Sequence, residues 1–109
     1  MTEFKNGSVK ISNIIIDQLI AESALKVEGV KTVIGYNGER VDTKRKDSIK
    51  SEITNNEISI SLSVILNTDQ KIYEIAESVQ NTIREQIKVM LNLDANDIEV
   101  SIRDLELTK

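Results

Sequence analysis

Ser59, Ser61 and Ser63 stand at alternate positions in the stretch ISISLSVIL, from Ile58 to Leu66. A serine hydroxyl becomes a nucleophile when a neighbouring base takes its proton, and histidine is the usual base. This chain has no histidine. The alternation is that of a strand with one oily face, so the three serines read as its solvated side. A second string, Ser23-Ala24-Leu25-Lys26, matches the serine–lysine pattern of penicillin-binding enzymes. Its partner motifs SDN and KTG are missing, and 109 residues are too few for that fold. No catalytic set is left, and no enzyme activity is expected.

Metal and cofactor chemistry fare no better. There is no cysteine, which removes thiolate ligands and disulfides. The acids Asp94, Asp97 and Glu99 open like a calcium loop in Asp94-Ala95-Asn96-Asp97, but the glycine and the closing glutamate are absent at the required spacing. That segment reads as a turn between elements. One further motif carries chemistry. Gly35-Tyr36-Asn37-Gly38 is a GxxG, followed by Arg40, Lys44, Arg45 and Lys46. A KH module clamps a nucleic-acid backbone with such a loop, so a small RNA-binding module using Gly35, Gly38, Arg40, Lys44, Arg45 and Lys46 is the alternative function. In KH modules the loop joins two helices, whereas here it follows a strand.

The elements that position these residues follow from periodicity. Residues 8–11 form a short strand, and Ser12 caps a helix from about Asn13 to Val27. Ile15, Ile16, Leu19, Ile20 and Ala24 make its apolar face, with Asp17, Gln18, Glu22 and Lys26 toward solvent. Gly29 supplies the left-handed residue that ends it. Val30 to Ile34 is extended, and Gly35 to Ser48 is a mobile surface loop. Asn55-Asn56 suits a two-residue type I′ hairpin turn with both residues at positive φ. That turn sets Thr54 against Glu57, Ile53 against Ile58, Ser51 against Ile60 and Ile49 against Leu62. Glu52 then meets Ser59, and Lys50 meets Ser61, on the opposite, polar face. A long helix runs from an Asp69 cap to Leu91, with the stripe Ile72, Ile75, Ala76, Val79, Ile83, Ile87 and Met90, and Asn92 closes it in the left-handed region. The last strand, Asp97 to Leu107, changes parity near Arg103-Asp104, which predicts a bulge there.

The order is therefore β-α-β-β-β-α-β, an α+β two-layer sandwich with two amphipathic helices on one face of a mixed sheet. At 109 residues the chain is one domain, residues 1–109. Its 18 acids against 14 bases give a net charge of −4, which repels nucleic acid and anionic lipid at long range. Neither a signal peptide nor a run of about 18 apolar residues is present, so a cytoplasmic location is expected.

Four stretches resemble the alkaline shock protein family of Gram-positive envelope stress proteins. GSVKISNIIIDQLIAESALKVEGV is similar to the family's opening strand, helix and Glu28-Gly29-Val30 exit, and NEISISLSVIL to its alternating strand. KIYEIAESVQNTIREQIKVMLNLD is similar to its long helix through Lys71, Ile72, Glu74, Ile75, Ala76, Val79 and Gln80, and DIEVSIRDLEL stands for its closing strand. Asn92 occupies what is usually glycine. Thr68-Asp69 and Asp104-Leu105 replace the family's usual Tyr-Gly and Gly-Val.

The resemblance implies a non-catalytic cytoplasmic protein with no cofactor. It would act as a structural or adaptor module of the envelope stress response. It would be held at the inner face of the membrane through a homologous membrane-anchored partner, through self-association, or through both, without inserting itself. The contact is expected at an unpaired edge strand of the sheet or at the face carrying Lys50, Glu52, Ser59 and Ser61, left uncovered when both helices lie on the other side, with the Gly35–Ser48 loop tuning it electrostatically.

Overall fold

Ten consecutive residues, Glu57–Leu66, make the central strand, because every second one is aliphatic and finds a layer to pack under. The computed structural model describes residues 2–4 and 7–107. In chain order the elements are β1 (Thr2–Phe4), β2 (Gly7–Val9), α1 (Asn13–Leu25), β3 (Val30–Val33), β4 (Lys50–Thr54), β5 (Glu57–Leu66), α2 (Ile72–Leu91) and β6 (Asp94–Leu105).

Ile58, Ile60, Leu62, Val64 and Leu66 of β5 are buried against Ile16, Ile20, Ala21 and Ala24 of α1 and Val79, Ile83 and Ile87 of α2, in one hydrophobic cluster. The α+β two-layer reading therefore stands, with both helices over one face. The sheet is mixed. β6 runs parallel to β5 along its length, as a strand returning through a helix can. On the other side of β5, β4 pairs antiparallel with its first half and β3 with its second. Lys50 pairs with Ser61, and the Ile34 N–H donates to the Ser63 carbonyl at 2.9 Å. Only Leu62 lies between, so β3 and β4 are two halves of one line from which residues 35–49 are extruded.

The hairpin register is the expected one at five pairs, Thr54/Glu57 through Lys50/Ser61; the sixth, Ile49/Leu62, is not part of the ladder, because β4 begins at Lys50. Its turn differs: only Asn55 has positive φ, at 58°. The Asn56 carbonyl instead accepts the Asp94 N–H at 2.9 Å, which ties the turn to the start of β6. The bulge is where parity placed it. Val64 pairs with Ile102 and Ile65 with Asp104, leaving Arg103 as the extra residue.

Caps are mixed. Ser12 Oγ accepts the Ile14 N–H at 3.2 Å, and Asn92 closes α2 at φ 54° with its N–H on the Lys88 carbonyl. Gly29 is left-handed, at φ 101°, but it does not end α1, whose cap is Lys26 in the right-handed region; a Cβ on Gly29 would lie 2.7 Å from Ile75 Cδ1. Asp69 does not cap α2. Thr68 Oγ1 takes the Gln70 N–H, the chain turns once more, and the helix starts after Lys71 at φ 55° without a side-chain cap. α1 ends at Leu25 rather than Val27, and β6 spans Asp94–Leu105 rather than Asp97–Leu107. The strand expected over residues 8–11 is β2. It pairs with β1 in a separate two-stranded sheet, so the order gains a strand at its start and the main sheet has four.

Candidate interaction surface

Pairing on both sides of β5 assembles its outward residues into rows. Ser59 stands between Glu52 of β4 and Asp97 of β6, and Ser61 between Lys50 and Glu99. All six are exposed. The four residues singled out in the sequence, Lys50, Glu52, Ser59 and Ser61, are thus neighbours on one uncovered face. Asp97 and Glu99, weighed in the sequence only as metal ligands, belong to the same face. The signal for them was parity, since Ile98, Val100 and Ile102 in one phase put Asp97 and Glu99 in the other. Among the described residues no group of acids could hold a metal ion.

Chemically the face is two hydroxyls flanked by three carboxylates and one ammonium. A groove of about 610 Å³ runs from it over the edge of β4 to Asn13 and Asp17 of α1. Ser63 does not belong to the open face as expected. It is 9% exposed, although it shares the phase of Ser59 and Ser61.

Two polar residues hold the groove's far wall. Asp17, expected in solvent, is 6% exposed and accepts a hydrogen bond from Ser51 Oγ at 2.7 Å. Burial raises its carboxyl above the usual range, while the Ser51 hydroxyl and Lys50 pull it down. Sequence reasoning missed this pair. Its trace is a serine in the Ile49/Ile53 phase of β4 and an aspartate beside Ile16 on α1. By contrast Ile15, assigned to the core, is 59% exposed, as is Met90 on α2.

Gly35, Gly38, Arg40, Lys44, Arg45 and Lys46 sit on the extruded segment. Tyr36 and Val41 form a bridge pair and are buried, so this surface loop carries an apolar anchor. The Tyr36 hydroxyl lies 2.9 Å from the Gly38 carbonyl and 3.3 Å from Glu22 Oε1. Asn37 Oδ1 accepts the N–H groups of Glu39 and Arg40, each at 2.8 Å. Asn37 therefore closes a tight turn over residues 37–40, leading out of the GxxG. Arg45 is engaged by Asp47, whose carboxylate also lies 3.6 Å from Arg103 of the bulge. The Arg45 hydrogen bond holds the Asp47 carboxyl below its ordinary range. This is a strand-to-turn loop with its own acids, unlike the helix-to-helix clamp of a KH module.

The model of the alkaline shock protein 23 family, described as having a cell envelope-related function, matches residues 1–107. The chain belongs to that family. Among its relatives are stress response regulator gls24 homologs of Streptococcus pyogenes serotypes M3 and M1. Each is 20% identical over 97% of this chain and 63% of the relative. The chain thus spans 63% of the length of these curated relatives. Solved structures of the MamM CTD share the fold. One variant covers 83% of this chain and 93% of its own at TM-score 0.60 and 20% identity, and a copper form covers 83% and 94% at TM-score 0.59 and 20% identity. None of these similarities lends support to RNA binding. As a member of the alkaline shock protein 23 family the chain has an envelope-related context, and among the described residues no helix is long and apolar enough to cross a membrane.

Proposed function

We propose that this chain is a non-catalytic adaptor module of the envelope stress response, working by protein association at the open face of its sheet. The observation that carries the reading is the pair of rows Asp97–Ser59–Glu52 and Glu99–Ser61–Lys50, uncovered in a member of an envelope-related family. Short hydroxyl side chains along the centre let a second protein come close to the strands. The flanking charges keep the face soluble while it is empty and set which partner it accepts. The names of the streptococcal relatives support a stress role. Attachment to the membrane runs through a partner protein, because a face with three carboxylates against one ammonium is unsuited to anionic lipid.

Cell fractionation tests this. The wild-type chain should sediment with membranes when its partner is present and stay in the supernatant when it is absent. Ser59→Arg and Ser61→Arg, both at exposed positions, should release it without unfolding it. Equal binding to protein-free anionic vesicles and to native membranes would overturn the reading.

A further inference from the structure

The two edges of the sheet are treated differently. On β6 the long helix covers the first part of the outer edge: Gln80 Nε2 donates to the Ile98 carbonyl at 3.0 Å and Arg84 Nε to the Ala95 carbonyl at 3.2 Å. The β4 edge has no such cover. In a two-residue hairpin the residues flanking the turn, Thr54 and Glu57, exchange both backbone hydrogen bonds, and so do Glu52 and Lys50 with their partners. Ser51 and Ile53 therefore point their N–H and C=O groups at the free edge. Among the described residues no backbone hydrogen bond outside the β4–β5 ladder reaches them. Ile53 faces the helical layer yet stays only half-buried, and the groove beside β4 leaves room along this edge.

We infer that the β4 edge pairs with the β4 edge of a second copy of this chain, antiparallel about a two-fold axis at Ser51. This rests on the association reading above and names one partner and its register. The sequence of β4 is self-complementary about that point. With Ser51 opposite the second copy's own Ser51, Glu52 falls opposite Lys50 twice, and Ile53 falls opposite Ile49 twice. The charged pairs lie on the open face and the isoleucine pairs on the helical face. Opposite charges directly across a ladder stabilise it and like charges oppose it. A shift of two residues sets Glu52 against Glu52 or Lys50 against Lys50, and a shift of one turns the open face of one copy toward the helical face of the other. Ser51 and Ile53, with Ile49 just ahead of the strand, are in the phase that offers backbone groups outward, so the hydrogen-bonding parity agrees with the charge pattern. The contact is isologous and closes on itself. It joins the two open faces into one continuous surface, with the rows of both copies side by side.

Sedimentation velocity of the full chain over a concentration series tests this. The wild type should dimerise, and hydrogen exchange at the Ser51 and Ile53 amides should slow as the dimer forms. Lys50→Glu alone and Glu52→Lys alone each place two like-charged pairs across the axis, and each should weaken the dimer at least about tenfold. The double variant Lys50→Glu/Glu52→Lys restores opposite charges and should recover association, which a merely structural effect of either change would not do. Circular dichroism on each variant confirms that the fold is kept. A wild type monomeric throughout, or single variants that dimerise as well as the wild type, would overturn the inference, as would a double variant no better than either single one. If that happens while the chain still sediments with membranes, the edge pairing fails and the adaptor reading stands. A dimer with charge-swap rescue that never sediments with membranes has the opposite meaning.

Discussion

Leu62→Ala tests the architecture at its most loaded point. Leu62 is 1% exposed at the middle of β5, paired with Val100 on β6, and on its other side lies the break where β3 gives way to β4. The change deletes three buried carbons, which at about 0.8 kcal/mol per methylene is a transfer loss of about 2.4 kcal/mol. The remaining space cannot close easily, because both neighbours on the strand, Ile60 and Val64, are held in ladder register under the helices. A cavity contribution brings the expected loss to about 3–4 kcal/mol. Against a total stability of about 5–15 kcal/mol for a chain this size, that is a large fraction. It corresponds to a fall in melting temperature on the order of 10–20 °C. The chain has no tryptophan, so far-UV circular dichroism in a urea titration is the suitable probe. The adjacent Ser61→Ala, on the exposed side of the same strand, should change stability by less than about 0.5 kcal/mol. A loss below about 1 kcal/mol at Leu62, or an equal loss at Ser61, would refute the assignment of the two faces.

Two backbone positions should respond in opposite directions. Gly29→Ala introduces strain at φ 101° and a Cβ only 2.7 Å from Ile75 Cδ1, and should lower stability by about 1–3 kcal/mol in a thermal melt. Lys71→Gly relieves a left-handed residue at φ 55° and should raise stability by up to about 1 kcal/mol. Asp17→Asn should show a pH signature. Because the folded carboxyl sits above its unfolded value of 3.8, the folded state binds more protons in the window between them, and the wild type loses stability as pH rises through it. The variant lacks that loss, so its stability relative to wild type should grow with pH across the window in paired urea titrations. A difference that is flat with pH, or that shrinks, contradicts the burial of a charged Asp17.

Much of the fold is legible because parity is a strict constraint. Once Asn55-Asn56 is the turn, every β4–β5 pair follows, and one change of phase at Arg103 announces a bulge far downstream of the hairpin. What is not legible depends on tertiary partners or on backbone choices that several residues could make. The pattern of residues 8–11 says strand but not which strand it pairs with, and β2 pairs with β1 rather than joining the main sheet. Asp69 is a chemically sound cap, yet the chain makes one further turn through Lys71 before the helix starts. Asp17 looks solvated on α1 until Ser51 of β4 is brought to it. Polarity alone cannot distinguish a charged group facing water from one facing a hydroxyl across an interface.

The candidate surface was half legible for the same reason. Lys50, Glu52, Ser59 and Ser61 come from two strands joined by a short turn, so local pairing was enough to group them. Asp97 and Glu99 lie beyond a helix of twenty residues, and only the parallel pairing of β6 with β5 brings them to the same rows. That pairing also decides the electrostatics. The local four residues carry one base and one acid and look neutral, whereas the completed rows carry three acids. Two such faces stacked directly on each other would repel. The edge of β4 alone, with Lys50 and Glu52 two residues apart, can meet a copy of itself with every charge opposed. The proposed edge contact and the proposed use of the face therefore differ in charge: the edge is complementary to a copy of itself, whereas the face, with three acids in its rows, is complementary only to a basic surface.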